Sequence, residues 1–424
     1  MAILFITFAV LLALGAPVAA ALAIATFAAL AALGVPFEAG VQQMTSGISS
    51  ISLIAIPLFI FAGELMLRGG ISERIIAFAA ALVGRLRGGL AQVTVVSSTL
   101  FGGVSGSAIA DVSAVGGAMI PQMIQRGYDR DYAVNVTVSA ALVALLLPPS
   151  HNMILYSAAA GGGISITDLF LAGVAPALLL AASVMAVTYV LARFRNYKGE
   201  AFPGFATLAV RLVAAIPGLL LVAIIFFGIR SGVFTAVESA TVAVLYAIVV
   251  SALVYRALRW RDFVEACLGA VQTTGKILLV IAAAAAFGWT MAYLEAPRLA
   301  VDWMQSIAHD QTTVLVAMVV ALLLLGTFMD MAPLVIIATP VFLPVARAYD
   351  VDPVHFGVIM ILSCGIGLIT PPVGSVLFIG ASIGQVPMER TVRGLVPFYA
   401  ALLLVLAAVV LYPPLSLTLP ALQR

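Results

Sequence analysis

The sequence predicts an all-α polytopic membrane protein built from inverted structural repeats, and its composition is the first observation behind that prediction. Of 424 residues, 63% are hydrophobic and only 9% are charged, with a mean hydropathy of +1.20. Soluble domains carry about 25% charged residues. The chain offers about ten apolar segments near the roughly 20 residues that a transmembrane helix needs. These numbers argue against a large soluble protein and against a soluble second domain.

A motif that occurs twice is the second observation. The pattern Arg-x-Tyr-Asp-x-Asp begins at Arg126 and again at Arg347, 221 residues later. A Pro-Pro pair follows each copy, at Pro148 and Pro371, and a Gly-rich or Gly-Thr segment precedes each. The aspartates of both copies are interpreted as turn and cap residues at the surface. Inverted repeats with broken helices are how many secondary transporters form a site at the membrane midplane, so the pattern indicates transport.

Basic residues near helix ends face the cytoplasm, and this rule orients the central part of the chain. Two basic clusters, at 193–198 and 256–261, flank a pair of apolar segments whose joining loop holds only Arg230. Both clusters are therefore placed inside and the joining loop outside. Tracing the chain from these anchors puts the C-terminus on the periplasmic side. The apolar start Met1–Leu14 has no basic flank and is interpreted as a membrane helix rather than a cleaved signal peptide, although no charged side chain before Pro36 orients it.

Two segments leave and return on the same side of the membrane in this topology. Residues 88–125 enter from the cytoplasm with a tip near 105–111, and residues 312–346 enter from outside with a tip near 330–333. Both are predicted to be re-entrant helical hairpins that enter from opposite faces. An inverted repeat requires this arrangement.

An amphipathic segment precedes each hairpin. Ser72–Arg87 and Pro297–Asp310 both combine large apolar residues with charged ones. Such a segment could lie flat along the membrane interface. For the first segment, an ordinary tilted span is the alternative.

A helix broken at a Pro-Pro pair follows each hairpin. The halves are 133–147 and 153–160 in the first copy, and 356–369 and 376–383 in the second. Proline lacks a backbone donor and excludes the preceding residue from a helix, so each pair frees several carbonyls at mid-membrane. An unsatisfied carbonyl there costs several kcal/mol unless something binds it. A sodium ion is the natural ligand because hard cations bind oxygen, and the half-helix N-termini would attract an anionic substrate.

Polar residues at the tips and breaks supply the candidate ligands. The candidate sodium ligands are Gly103, Ser105, Ser107, Pro148, Asn152, Thr327, Asp330, Thr370, Gly374 and Ser375. The candidate substrate contacts are Ser105, Ser107, Ser150, His151 and Asp330. For any single serine, the alternative is small-residue packing or a hydrogen bond back to its own helix. No catalytic residue and no cofactor are expected, and sodium is the coupling ion.

Ionisable residues inside apolar segments are a second kind of candidate, because a charge within the membrane is expensive and usually functional. Asp330 and Asp111 are placed at the two hairpin tips, with a helix cap as the alternative for Asp111. His151 could contact substrate or act as a hydrogen-bonded strut. Glu238 is interpreted as a brace or a first-turn charge near the outer surface. Lys276 starts an apolar run and is interpreted as reaching the cytoplasmic interface with its side chain.

The most specific sequence pieces together resemble one transporter family. They are F-G-G-V-S-G-S at 101–107, L-P-P-S-H-N-M-I-L-Y at 147–156, G-T-F-M-D at 326–330, D-P-V-H-F-G at 352–357 and G-L-I-T-P-P-V-G at 367–374. Over essentially the whole chain, the sequence is similar to the large membrane subunit, the DctM-type permease, of tripartite ATP-independent periplasmic (TRAP) transporters. Matched by position, Ser105 and Ser150 are polar positions of the first tip and break. Asp330 is the aspartate of the second tip.

The resemblance implies an elevator mechanism, in which a transport domain slides against a scaffold. The implied division is scaffold and a first arm helix at 1–87, a first transport repeat at 88–165, scaffold and a second arm helix at 166–310, a second transport repeat at 311–386, and a C-terminal scaffold helix at 387–424. It also implies sodium-coupled uptake of an organic anion, usually a carboxylate such as a C4-dicarboxylate, sialic acid or a sugar acid, across the bacterial inner membrane. The implied partners are a small four-helix membrane subunit of the DctQ type and a periplasmic substrate-binding protein. No nucleic acid partner is expected.

The chain departs from the family pattern in two places. Ala236 stands where the family often has proline, and an asparagine that is common near Ser363 or Ser375 is missing. Because this asparagine is missing, backbone carbonyls are expected to matter more than side chains as ligands at the second ion site. A symporter of related fold that needs no binding protein is the alternative function. A passive channel and an intramembrane aspartyl protease fit the pattern less well, because the two Tyr-Asp pairs fall on opposite faces.

Overall fold

The computed structural model describes residues 1–307 and 310–422, and every regular element in these residues is a helix. Seven helices are long and apolar enough to cross a membrane, and the bent pair of Arg130–Leu146 with His151–Ala159 would be an eighth span. A helix satisfies its own backbone hydrogen bonds, as the hydrocarbon interior of a membrane demands. The predicted all-α membrane class is therefore confirmed. The last two residues lie outside those described, and the predicted side of the C-terminus stays a prediction.

The first repeat follows three N-terminal helices. These are α1 (Ala2–Ala13), α2 (Val18–Leu33) and α3 (Phe37–Ile48). The helices of the repeat are α4 (Ala55–Arg68, preceded by a 3₁₀ turn at Ile51–Ile54), α5 (Ile71–Val83), α6 (Gly89–Ser105), α7 (Ala108–Asp111), α8 (Gly117–Gln125, joined to α7 by a π turn at Val112–Gly116), α9 (Arg130–Ala141), α10 (Val143–Leu146), α11 (His151–Ala159) and α12 (Ile166–Phe194).

The second repeat has the same order of elements: a span, a short arm helix, a helical hairpin, a broken helix and a long span. Two connecting helices precede it, α13 (Phe205–Arg230) and α14 (Ala236–Val249, extended by a π turn at Val250–Val254). Its helices are α15 (Trp260–Tyr293), α16 (Ala296–Ile307), α17 (Gln311–Gly326), α18 (Met331–Ala348), α19 (Pro353–Gly367), α20 (Ser375–Gly384) and α21 (Met388–Leu411). A short helix, α22 (Pro414–Ala421), follows.

Two hydrogen bonds show that the broken helices lie antiparallel. Arg130, at the start of the first, donates from Nη1 to the carbonyl of Gly384 at the end of the second, at 3.4 Å. Tyr156, near the end of the first, donates from its hydroxyl to the carbonyl of Pro353 at the start of the second, at 2.7 Å. Each end of one broken helix therefore meets the opposite end of the other. This confirms the predicted inversion of the two repeats.

The helices pack into two groups. The core group contains both hairpins and both broken helices, with α12, α21 and α22 packed against them, and the wall group contains α1 to α4 and α13 to α15. The arm helix α5 contacts α6 of the first hairpin and α13, and the arm helix α16 contacts α18 of the second hairpin and α15. The sequence placed 166–194 and 388–411 with the scaffold instead. Gly173 lets α12 approach the carbonyl of Leu146 at the first break, where a Cβ atom would collide, and the division into transport domain and scaffold stays a prediction.

Close helix contact without side chains joins the second hairpin to the second broken helix. A Cβ atom on Gly367 would lie 2.6 Å from Cα and 2.7 Å from the carbonyl carbon of Gly326. Both neighbours are backbone atoms, so α17 and α19 would have to move apart. Small residues that allow such approach are typical of helix interfaces in membranes.

The antiparallel repeats predict opposite labelling of two exposed positions. In a background without Cys267 and Cys364, Gln125→Cys and Asp350→Cys place single thiols after the first and second hairpins, both exposed. A membrane-impermeant maleimide added to spheroplasts should label the cysteine at 350 and reach the one at 125 only after the membrane is opened, or the reverse. Labelling of both from one side would contradict the inversion.

Gly367→Ala should destabilise the protein by about 1–3 kcal/mol, the usual range for overpacking. Gly275→Ala is the matched control, since Gly275 also lies inside a helix but has open space around its Cβ position. Replacing an unconstrained helical glycine with alanine is favourable by roughly 0.5–1 kcal/mol. Thermal unfolding in detergent should therefore shift in opposite directions for the two variants, and equal shifts would show that the glycine contact is unimportant.

Candidate substrate and ion site

A cavity of about 320 Å³ lies where both hairpin tips meet the wall group. Four of the five predicted substrate contacts line it: Ser105, Ser107, His151 and Asp330. The opposite wall comes from α4 and α15 of the wall group. The cavity therefore lies on the seam between the two packing groups.

The first hairpin tip folds onto the first break. Helix α6 ends at Ser105, and the chain reverses at Gly106, whose φ of +58° favours glycine. A Cβ atom on Gly106 would lie 2.5 Å from the carbonyl oxygen of Pro149, so the tip and the break are in direct contact. Asn152 reinforces the contact, because its Nδ2 donates to the Gly106 carbonyl at 3.2 Å.

Two buried oxygens remain unsatisfied where this tip meets this break. Among the described residues, neither Ser105 Oγ nor Asn152 Oδ1 has a hydrogen-bond partner. Buried polar atoms in folded proteins nearly always have one. The backbones of Gly103 and Pro148 also lie close together here, since a Cβ on Gly103 would be 3.5 Å from the Pro148 carbonyl oxygen. Ser105 and Asn152 line the cavity, whereas Gly103 and Pro148 line a separate apolar cavity against α13.

Ser150 has a different environment from the one the sequence predicted for a substrate contact. Its hydroxyl is fully buried and donates to the carbonyl of Leu145 at 2.7 Å. It satisfies one of the carbonyls that the break frees, and it lies behind the surface of the cavity. Ser107, by contrast, faces the cavity and caps α7, with its Oγ accepting from the Ala110 N–H at 3.3 Å.

The second tip and break repeat this contact with different hydrogen bonds. The N–H groups of Val373 and Gly374 donate to the Thr327 carbonyl at 3.2 and 3.4 Å. The Thr327 hydroxyl donates to the Leu324 carbonyl, and the Thr370 hydroxyl donates to the Ile366 carbonyl. These hydroxyl oxygens keep their lone pairs free to accept or to coordinate an ion.

Asp330 is the N-cap residue of α18, the returning helix of the second hairpin, and it is exposed in the cavity. Ser375, at the start of α20, donates to its Oδ1 at 3.4 Å. The contact brings the second tip to the half-helix that follows the second break. The hydroxyl of Tyr399 in α21 donates to the Ile369 carbonyl, another carbonyl that the break frees, at 2.6 Å. No sequence pattern pointed to this tyrosine.

The prediction that Asp111 lies at the first tip, or caps the returning helix, is wrong. The tip lies at Gly106, and Ser107 is the cap residue. Asp111 is one turn further along and fully buried. The chain reverses at Gly106, earlier than the position of Asp111 suggested.

Lys276 lies in the wall of the cavity, although the sequence did not assign it to the site. It is the seventeenth of the 34 residues of α15, and it lines the cavity from the wall group together with Thr273 and Ile277. Its predicted reach to the cytoplasmic interface stays a prediction.

Glu64 of α4 lines the same wall and was also missed. Its carboxylate accepts from Arg68 Nε at 3.4 Å, and Arg68 in turn pairs with Glu265 of α15 at 2.6 Å. A carboxylate in the middle of the apolar run 51–68 was the available signal.

Several surface assignments agree with the sequence. Glu238 and Thr235 form a capping box at the start of α14, which is the first-turn role expected for Glu238. Asp352 caps α19. Asp310 caps α17, and hydrogen bonds from Thr313 hold the pKa of Asp310 below its usual range. The prediction that Asp131 is a surface turn or cap residue is wrong, since it lies inside α9, is buried, and has Arg195 and Arg390 at 3.5 and 3.6 Å from its carboxylate.

Comparison with known proteins identifies the family. Residues 5–415 match the family model described as the tripartite ATP-independent periplasmic transporter, DctM component. The chain belongs to this family. The predicted resemblance is confirmed, and the DctM-family chain is a membrane transport protein rather than an enzyme.

Three curated relatives and one solved structure place it more closely. YgiK of Salmonella typhimurium is 39% identical over 99% of this chain and 97% of its own. The sialic acid TRAP transporter large permease SiaM of Vibrio cholerae is 36% identical over 90% and 89%. The C4-dicarboxylate permease DctM of Pseudomonas aeruginosa is 36% identical over 87% and 86%. The fold is similar to the crystal structure of the YdaH transporter of Alcanivorax borkumensis, with a TM-score of 0.63 and 15% identity, covering 89% of this chain and 88% of that one.

Because Ser105 Oγ and Asn152 Oδ1 have no hydrogen-bond partner among the described residues, we predict that sodium binding at Ser105 stabilises the protein. Thermal unfolding of wild type in detergent should rise when NaCl replaces choline chloride at constant ionic strength, because a ligand that binds only the folded state stabilises it. Ser105→Ala should lower the apparent sodium affinity at least tenfold, about 1.4 kcal/mol. Ser183→Ala is the control, since that hydroxyl bonds to its own helix in α12. An unchanged sodium titration in Ser105→Ala would remove Ser105 from the ion site.

Proposed function

We propose that the DctM-family chain carries out sodium-coupled uptake of an organic anion, a carboxylate such as a C4-dicarboxylate, sialic acid or a sugar acid. A periplasmic binding protein would deliver the anion, and a small four-helix membrane subunit would complete the unit in the inner membrane. The observation that carries the proposal is the cavity, where two hairpin tips bring unsatisfied oxygens and Asp330 to the seam between the packing groups. The names of SiaM and DctM support a carboxylate cargo.

The ends of two helices favour an anion in this cavity. Helix α11 begins at His151 and α18 begins at Met331, and the first residues of both line the cavity. A helix N-terminus carries about half a positive charge and free N–H donors. Sodium ions bound at the tips would add positive charge beside them. Anion binding and sodium binding would therefore reinforce each other, and this is the physical basis for coupling.

The two packing groups support an elevator motion. The core group carries the tips and breaks as one packed body, and the wall group supplies the other face of the cavity. Sliding the core group along α4 and α15 would carry the site across without dismantling it. In this proposal α12 and α21 move with the core, which revises the scaffold boundaries drawn from the sequence.

Reconstitution tests the proposal as a whole. The chain is placed in liposomes with its small subunit and binding protein, and uptake of radiolabelled carboxylates is measured with and without an inward sodium gradient. Uptake that requires both sodium and the binding protein is the expected result. Uptake without the binding protein would favour the alternative, a symporter of related fold, and uptake that ignores the sodium gradient would overturn sodium coupling.

Asp330→Asn should reduce sodium-driven uptake more than tenfold, because the carboxylate at the second tip would lose its charge at the ion and substrate site. Its unfolding temperature without sodium should stay close to that of wild type, since Asp330 is exposed. Asp350→Asn is the control: Asp350 is exposed at a turn with φ +56°, which asparagine also tolerates. Equal uptake in the two variants would exclude Asp330 from the site.

A further inference from the structure

Three chain segments meet at the base of the first hairpin, far along the chain from the substrate cavity residues of its tip. They are residues 84–90 before α6, 126–131 after α8, and 193–200 at the end of α12. Two backbone hydrogen bonds join them. The Gly88 N–H donates to the Tyr197 carbonyl at 3.2 Å, and the Glu200 N–H donates to the Gly84 carbonyl at 2.8 Å. We call these three segments together the basic corner.

Positive charge is concentrated in the basic corner. Its three segments contain seven arginine and lysine residues and three aspartate and glutamate residues, so their net charge is +4. The whole chain has a net charge of only +2. All other residues together are therefore slightly acidic, and the basic corner is the part of the molecule to which an anion would be attracted.

A cavity of about 580 Å³ opens in the basic corner. Arg126 and Lys198 line it together with Tyr128, Asn196 and Glu200. In the part of the chain that the structure describes, no ion pair includes Lys198. Arg126 pairs with Glu200 at 2.8 Å, but their side chains are 66% and 42% exposed, and such surface pairs contribute little. Both cations are therefore accessible to an anion that enters the cavity.

The cavity lies at a membrane surface, because part of it is built from the loop between two spans. Helices α12 and α13 are both long and apolar enough to cross a membrane, and cavity residues 196–201 lie in the loop that joins them. This holds for either orientation of the chain. Phe194 ends α12 and Phe205 begins α13, and their exposed fractions are 82% and 80%. Acyl chains can therefore contact the protein next to the cavity.

We propose that this cavity binds the headgroup of an anionic phospholipid. The phosphate would accept hydrogen bonds from Lys198 and Arg126, and the acyl chains would lie against Phe194 and Phe205. Arginine binds phosphate through its planar fork and lysine binds it as a point charge. Basic pockets between membrane helices bind anionic headgroups in this way. The proposal is independent of the transported solute and of sodium.

The bound headgroup would hold together two parts of the fold. Arg126 follows the first hairpin, which belongs to the core group, whereas Lys198 lies in the loop that leads from α12 to α13 of the wall group. A phosphate between them would hold this loop against the base of the hairpin. Because the lipid binds only the folded arrangement, it should also raise the unfolding temperature.

Matched lipids test the proposal on the full-length chain in a neutral detergent. Phosphatidylglycerol and phosphatidylcholine with the same acyl chains differ in net charge, and glycerol 3-phosphate carries the phosphate without acyl chains. Binding is measured by native mass spectrometry, and stabilisation by thermal unfolding. Phosphatidylglycerol should bind at least about tenfold more tightly than either of the other two and should raise the unfolding temperature.

Two double variants with the same net charge locate the site. Arg126→Gln with Lys198→Gln should weaken phosphatidylglycerol binding at least about tenfold, because each basic residue near a membrane surface contributes to the attraction. Arg87→Gln with Arg261→Gln is the control and should change binding by less than about twofold. Arg87 lies in the basic corner but does not line the cavity, and Arg261 has a surface ion pair as Arg126 does.

A gain of binding completes the test. Glu200→Gln removes the acidic side chain of the cavity and frees Arg126, so it should tighten phosphatidylglycerol binding at least about twofold. Its backbone N–H can still donate to Gly84. Unfolding temperatures without added lipid verify that all variants fold.

Three results would overturn the proposal. Equal weakening in the two double variants would show attraction to the surface charge as a whole rather than to the cavity. Equal affinity for phosphatidylcholine would show that the acyl chains alone are bound. Equal affinity for glycerol 3-phosphate would show a site for a soluble phosphate ester rather than for a membrane lipid.

Discussion

The rule that backbone polar groups must be satisfied inside a membrane governs the whole structure. It explains why every regular element described is a helix, and why neighbouring groups donate hydrogen bonds to the carbonyls beside the two breaks. At the first break, Ser150 takes the Leu145 carbonyl and Asn152 takes the carbonyl of Gly106. At the second, backbone donors take the Thr327 carbonyl, and Tyr399 takes that of Ile369. In both repeats, donors at or just after the break satisfy a carbonyl of the hairpin tip, which holds the tip on the break.

Side-chain oxygens without a partner distinguish the first repeat from the second at the tips and breaks. In the first repeat, Ser105 and Asn152 each keep a buried oxygen without a donor. In the second repeat, the hydroxyls of Thr327 and Thr370 are engaged with their own helices. The two halves thus share an architecture but not a hydrogen-bond pattern. Under the proposed sodium coupling, the first half would depend on a bound cation more directly than the second, whose hydroxyl oxygens already hold one hydrogen bond.

The sequence predicted the architecture well because its signals are local. Long apolar runs, two Pro-Pro pairs and a doubled motif locate the spans, the breaks and the repeat, and Asp330 and Ser105 lie where tip residues were expected. The errors concern facts that depend on tertiary contacts. The turn at Gly106 placed Asp111 inside a helix, and Asp131 lies buried inside α9 beside two arginines. Which helices pack with the core depends on side-chain fit, such as that at Gly173, and hydropathy contains no such information.

The antiparallel pairing of the broken helices has a consequence for energetics. The bonds from Arg130 to Gly384 and from Tyr156 to Pro353 make one end of the core resemble the other. If the core moves as proposed, two copies related in this way could exchange conformations and recover much the same contacts, viewed from the opposite side. The free-energy difference between the two exchanged arrangements would then depend on the positions where the copies differ. Residues that break the internal symmetry, rather than those that obey it, decide which side the empty protein favours.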